Sequence, residues 1–287
     1  MTGPVIVGFD GSESSRQALA WAEQEAVMRE APLHLLHALP RWSPDVLLVP
    51  EPVGWEVEAE KTAREQLEQA AAQTRSCRPH LDVTSEIALD RAEDALVHAA
   101  EGAQLLVVGS RGRGGFTELL LGSVSRHVAA RSPCPVAVFR RPTTGGHRMV
   151  VVGVSGQPGQ ESLLEFAFQE AALRGAGLRA VHAWTHPGRI EPWTVGSGVY
   201  DAETAGQEEE VLLAEILGGW RGRFPDVELV QQVVREHPAK ALAEASAEAD
   251  VVVVGASHGA TRALLGLGST AHAVLHHARA PVIVVRG

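Results

Sequence analysis

Leu105-Leu106-Val107-Val108-Gly109-Ser110-Arg111-Gly112 is an apolar run that breaks into a glycine-spaced loop, and Gly122-Ser123 stands ten residues past its second glycine. An apolar run without alternation reads as a strand covered on both faces, and a glycine at its end lets backbone approach a ligand closely. The device recurs 146 positions later, as Val251-Val252-Val253-Val254-Gly255-Ala256-Ser257-His258 followed by Gly268-Ser269. The chain is therefore a tandem duplication of one α/β unit with a phosphate-cradle type of loop.

Outward from β-rich runs of this kind, the first half places strands near 5–8, 33–38, 81–87, 104–109 and 136–139, alternating with helical periodicity over 15–29, 56–72, 92–100 and 124–131. Such alternation predicts βαβ units and a parallel sheet. The second half repeats the order with strands near 150–154, 178–183, 227–234, 251–255 and 282–285. The expected architecture is two tandem doubly wound, Rossmann-like domains of five parallel strands each, over 1–143 and 148–287. The turn-rich Pro142-Thr143-Thr144-Gly145-Gly146-His147 joins them closely.

At 287 residues the chain has room for two ordinary domains. Its 25 Lys+Arg against 35 Asp+Glu give a net charge of −10, which repels a phosphodiester backbone and an anionic membrane surface. No apolar run reaches the roughly 18 residues of a membrane span. Pro4-Val5-Ile6-Val7 enters a strand without a charged leader, so the cytoplasm is the expected compartment. The two cysteines, Cys77 and Cys134, lack metal spacing and read as plain thiols.

In a doubly wound sheet the ligand crevice opens where strand order reverses, between the ends of the first and fourth strands. There the first strand ends in Gly8-Phe9-Asp10-Gly11-Ser12, offering a carboxylate to a ribose hydroxyl or an adenine amine. The fourth ends in Gly109, and Gly122-Ser123 opens a helix with Ser123 as the expected N-cap, so unpaired N–H groups and the positive end of the helix dipole face one anion. Arg111 and Arg113 add charge-assisted contacts. Taken singly, these glycines read equally well as turn punctuation and Asp10 as an N-cap. Their joint spacing favours the cradle.

Each second strand is followed by an irregular segment, Pro40-Arg41-Trp42-Ser43-Pro44 through Pro50-Glu51-Pro52 and Trp184-Thr185-His186-Pro187 through Pro192-Trp193. Both a lid or partner surface and a variable loop whose tryptophans cover the adjacent helix fit them. Gly266-x-Gly268-x-x-Ala271 matches a dinucleotide fingerprint only superficially, because 262–265 reads as helix or turn where a strand is required. A Walker A lysine is absent, since Lys61 and Lys240 are the only lysines and neither follows a glycine loop. His272 and His276 lack a third ligand and read as a solvated helix face, so no metal site is expected. His37 and His182 read as structural histidines.

These residues resemble the ATP-binding, tandem two-domain members of the universal stress protein family. The family pattern Gly-x-x-Gly, nine residues, then Gly and Ser or Thr is matched by Gly109, Gly112, Gly122 and Ser123; Asp10 matches its first-strand Asp, and His37-Ala38 its second-strand His and small residue. The resemblance implies an adenine nucleotide alpha hydrolase-like fold. It further implies ATP, with or without Mg2+, as cofactor, with Asp10, Ala38 and Val108 around the adenosine and Gly109, Gly112, Gly122, Ser123 and Val124 around the phosphates; Gly11 and Arg111 are expected in the same site. In the second half Ala183, Gly255, Gly268 and Ser269 keep the pattern. Ser155 replaces Asp10 there and His258 replaces Gly112. A non-glycine costs about 1–2 kcal/mol if that position needs φ > 0, yet His258 also offers a donor to a phosphate, so binding in the second half stays open.

The resemblance implies a nucleotide-dependent stress-response module without efficient catalysis. A slow ATP-hydrolysing or phosphoryl-transferring enzyme and an interaction scaffold with a vestigial site are the alternatives. Adenine nucleotide is the expected partner, with no nucleic acid and no membrane. The closing strands Pro135-Val136-Ala137-Val138-Phe139 and Pro281-Val282-Ile283-Val284-Val285 are short and apolar. Family resemblance implies that such strands pair the two domains as an intrachain pseudo-dimer, with a homodimer as a further step.

Overall fold

The computed structural model describes residues 3–40, 55–112, 121–140, 146–185, 202–256 and 266–286. The chain falls into two compact units, Met1–Pro142 and Thr143–Val285. Residues 41–52 and 186–193 of the irregular segments after the second strands, together with Arg113, Ser257, His258 and 262–265, lie outside the described residues.

In the first unit the order is β1 (Val5–Gly8), α1 (Glu13–Met28), β2 (Leu33–Ala38), α2 (Trp55–Cys77), β3 (Val83–Ala88), α3 (Ala92–Ala99), β4 (Leu105–Gly109), α4 (Ser123–Arg131) and β5 (Val136–Phe139). The strands lie in the order β3-β2-β1-β4-β5, every neighbour parallel. Every residue of β4 and β5 is buried, which explains their continuous apolar sequence. Helix α1 buries Ala18, Leu19, Ala22 and Ala26 at helical spacing, and α2 does the same with Ala63, Leu67 and Ala71. Right-handed crossovers put α1 and α2 on one face and α3 and α4 on the other. Thr74 Oγ1 on α2 donates to Glu23 Oε1 on α1 at 2.8 Å, in keeping with the shared face.

The second unit repeats the arrangement: β6 (Met149–Val154), α5 (Glu161–Arg174), β7 (Gly177–Trp184), α6 (Ala202–Arg223), β8 (Leu229–Arg235), α7 (Pro238–Ala245), β9 (Val251–Gly255), α8 (Ser269–His277) and β10 (Val282–Val285). Its strands lie β8-β7-β6-β9-β10, again all parallel. Here α5 and α6 meet through aromatic stacking, Phe168 on Trp220 with centroids 5.6 Å apart. The third strand of each unit starts two residues later than the sequence suggests. After α2 and α6 the chain spends those residues in turns, Leu81 N to Arg78 O in one unit and Val227 N to Phe224 O in the other.

Helices α1 and α5 close alike. Ala31 N donates to Ala26 O and Ala176 N to Ala171 O, the six-to-one bond of a left-handed C-terminal cap. The left-handed residue is Gly175 (φ 56°) in one helix and Glu30 (φ 51°) in the other. Glutamate pays a steric cost there that glycine avoids. Glu30→Gly should therefore stabilise the chain by about 1 kcal/mol, read as a higher urea midpoint at unchanged slope.

Just upstream of these caps, α1 and α5 each bury an ion pair four residues apart, Arg29–Glu25 at 3.1 Å and Arg174–Glu170 at 2.7 Å. Cys77 is exposed and Cys134 buried, and burial pushes the Cys134 thiol up. Among the described residues no helix is long and apolar enough to cross a membrane, and no three His, Cys, Asp or Glu side chains are grouped to hold a metal ion. The rings of His272 and His276 lie 4.5 Å apart along α8.

Candidate functional site

Strand order reverses between β1 and β4 in the first unit, because β2 lies on one side of β1 and β4 on the other. At their carboxyl ends a cleft of about 730 Å³ opens. Its rim gathers Ala38 from the end of β2, Asp10 from the end of β1, Val108, Gly109, Arg111 and Gly112 from β4 and its loop, and Gly122, Ser123 and Val124 from the start of α4. Residues 112 positions apart in sequence thus share one concavity, as the doubly wound topology requires.

The loop that follows β4 is closed by two short bonds. Gly122 N donates to Ser110 O at 2.7 Å, and Ser125 Oγ donates to Gly109 O at 2.7 Å. The helix N-cap is Gly122 (φ −73°, ψ 159°), not Ser123, which is already the first helical residue. The N–H of Gly122 is taken by Ser110 O, and no side-chain cap forms. The N–H groups of Ser123 and Val124 have no acceptor within the helix, as in any first turn, and they border the cleft. The helix dipole adds partial positive charge at that point.

Gly109 and Gly112 are glycines for reasons the sequence does not display. A Cβ on Gly109 would stand 2.9 Å from both the carbonyl carbon and the oxygen of Ser14. The missing side chain admits the first turn of α1, so close approach by a ligand is not what demands glycine. Arg111 N, on the same loop, donates to Ser14 Oγ at 3.4 Å. A Cβ on Gly112 would stand 2.8 Å from Asp10 Oδ2, and Gly112 does not have a positive φ. The condition on which a cost was expected at this position does not hold; the neighbour that matters is the carboxylate. Asp10 Oδ1 in turn accepts from Ser12 N at 3.0 Å, fixing the carboxylate against the loop.

Gly11 departs from its expected role. It does not border the cleft; it turns the chain with φ +76°, and a Cβ there would run into Gln66 Oε1 of α2. Gly156 does the same in the second unit at φ +72°. The cleft also takes in Arg140, just past β5, which the sequence did not single out because it lies 18 residues from Gly122 and outside any motif. Glu13 and Gln17 of α1 line it too, joined by a 3.0 Å bond from Gln17 Nε2 to Glu13 Oε1.

The second unit keeps the frame and changes the mouth. Gly268 N donates to Ala256 O at 2.6 Å and Gly268 caps α8 (φ −63°, ψ 155°), so Gly268 and Ser269 copy Gly122 and Ser123. Gly255 and Ala183 end β9 and precede the end of β7, as the repeat requires. As Asp10 Oδ1 accepts from Ser12 N, Ser155 Oγ accepts from Gln157 N at 3.3 Å, a hydroxyl in place of the carboxylate; in addition Ser155 N donates to Gln160 Oε1 at 2.8 Å, and Gln160 Nε2 donates to Gln157 O at 2.7 Å. The turn is thereby tied to itself by a buried glutamine. Helix α5 starts at Glu161, three residues later than the 145-residue offset from Glu13 would place it. His182 is held between Val154 O (2.9 Å) and Glu209 Oε2 (2.8 Å), and both it and His37 are buried, consistent with structural roles.

The model of the Universal stress protein family matches residues 1–140 and again residues 147–286. The chain belongs to the universal stress protein family. Universal stress proteins of Mycobacterium tuberculosis H37Rv and of Mycobacterium bovis are each 39% identical over 98% of this chain and 96% of their own length. One from Mycolicibacterium smegmatis is 35% identical over 98% of this chain and 96% of its own. The crystal structure of a universal stress protein from Archaeoglobus fulgidus superposes with a TM-score of 0.69 at 20% identity, covering 99% of this chain and 96% of that one. That likeness establishes the tandem universal stress protein fold along the whole chain.

Proposed function

We propose that the first unit binds an adenine nucleotide, ATP, as a regulatory ligand in the cytoplasm, and that the second unit binds it more weakly or not at all. The observation that carries the reading is the single cleft in which Asp10, Ala38 and Val108 meet the Gly109–Gly112 loop and the α4 N-terminus. It offers apolar wall and carboxylate at one end and unpaired N–H groups with two arginines at the other, which suits a nucleoside joined to phosphates. In the second unit Ser155 stands for Asp10, a neutral hydroxyl for a carboxylate, with its oxygen accepting from Gln157 N and its own backbone N–H donating to Gln160 Oε1.

The same cleft argues against efficient turnover. Fast phosphoryl transfer needs cationic stabilisation that grows in the transition state and a group that orients the nucleophile. The described lining supplies Arg111 and Arg140 and no lysine, and its carboxylates are Asp10, bound to Ser12 N, and Glu13, bound to Gln17. A cradle that holds ground state and transition state alike accelerates little. Equilibrium titration with ATP should give one strong site per chain, with phosphate release slower than about one per minute, far below the roughly 10 per second typical of enzymes. Two equal sites, or rapid release abolished by Gly122→Glu, would count against this reading.

Asp10 and Gly112 should act as a coupled pair. Gly112→Ala drives a methyl toward the Asp10 carboxylate, and a loss of about tenfold in ATP affinity is expected. In an Asp10→Ser background the same change should cost less, with a coupling of about 0.5 kcal/mol or more in a double-mutant cycle. The second half lacks both members, carrying Ser155 and His258. Additive effects would show that the two residues act independently.

A further inference from the structure

Along the carboxyl edge of the first sheet the cleft residues follow strand order: Ala38 at β2, Asp10 at β1, the Gly109–Gly112 loop at β4, and Arg140 immediately past β5. Parallel strands stand about 4.8 Å apart, so Arg140 lies three strand spacings, about 14 Å, from the Ala38 end of the row. Ser110 N donates to Phe139 O at 2.8 Å, which ties the residue before Arg140 to the residue before Arg111. Gly122 N donates to Ser110 O on the same loop, so Arg140 flanks the α4 N-terminus on the side away from β1.

We propose that Arg140 reads the length of the ligand's phosphate chain, contacting its terminal phosphates and favouring a nucleoside triphosphate over a monophosphate. This rests on the adenine-nucleotide reading, which sets the nucleoside beside Ala38, Asp10 and Val108. With the nucleoside there, the first phosphate falls at the β4 loop and the N–H groups of Ser123 and Val124, and only further phosphates extend to β5. A guanidinium suits that end, since its planar fork matches two phosphate oxygens at once. Among the described lining residues the charged groups are Arg111, Arg140, Asp10 and Glu13. Both carboxylates come from the β1–α1 segment and Arg140 from beyond β4, so the cleft is polarised in the same sense as the ligand.

The test is calorimetric titration of the full chain, wild type and Arg140→Gln, with AMP, ADP and ATP. Wild type should bind ATP more tightly than AMP. Arg140→Gln should lose about tenfold or more toward ATP, the scale of a hydrogen bond to a charged group, while AMP affinity changes less than about twofold. Arg140→Lys should recover part of the ATP preference, because charge survives and the fork does not. An equal loss toward all three nucleotides would show that Arg140 only supports the fold, and no loss toward any would show that it does not touch the ligand; either result overturns the proposal. Failure of the wild type to bind any of the three overturns the nucleotide reading itself, and this proposal with it.

Discussion

Gly122→Glu should abolish tight ATP binding while leaving the chain folded. The structure separates the two effects. Gly122 has φ −73° and ψ 159°, open to any residue, and a Cβ there meets nothing nearer than Ser110 O at 3.4 Å. Stability should therefore fall by about 1 kcal/mol or less, the scale of an altered N-cap. Binding should fall far more, since the new carboxylate stands where the α4 N-terminus would meet phosphate. Like charges in contact cost several kcal/mol, so a loss of about 100-fold or more is expected in calorimetry. The matching change in the other half, Gly268→Glu, should leave the strong site intact. The reverse pattern would assign the strong site to the second unit.

Gly109→Ala should do the opposite, harming stability first. Its Cβ would meet Ser14 Oγ, which can rotate, and the carbonyl carbon and oxygen of Ser14 at 2.9 Å, which cannot. Overpacking of this kind costs about 1–3 kcal/mol. A drop in the urea midpoint should accompany it, with weakened binding as a consequence of the displaced first turn of α1. Two glycines of one motif thus have separable jobs, Gly109 for packing and Gly122 for the ligand. Equal stability of the two variants would contradict that division.

Much of this was legible in the chain. The valine-rich runs 105–108 and 251–254 are β4 and β9, and their lack of alternation announced a sheet covered on both faces. The doubly wound order followed from strand and helix alternation, and with it the place of the crevice. Asp10, Ala38, Val108, Gly109, Arg111, Gly112, Gly122, Ser123 and Val124 line that crevice, whereas Gly11, expected in the same site, turns the chain at positive φ and does not line it. What stayed hidden depends on contacts between distant segments. Ser14 and Arg111 are 97 residues apart, and only the fold shows that the first explains the glycine at 109. The pressing of Asp10 on Gly112 is hidden in the same way. Gln160 was unreadable for another reason: a glutamine at the N-cap of a helix that starts three residues late has no motif, and its side chain accepts from the backbone N–H of Ser155.

The most direct measurement of the central claim is the nucleotide content of the purified full-length chain, released by denaturation and resolved by chromatography, before and after incubation with ATP and removal of the excess. The account predicts close to one adenine nucleotide per chain for wild type and for Gly268→Glu, and almost none for Gly122→Glu. Absence of nucleotide from wild type even after loading, or full occupancy in Gly122→Glu, would contradict it.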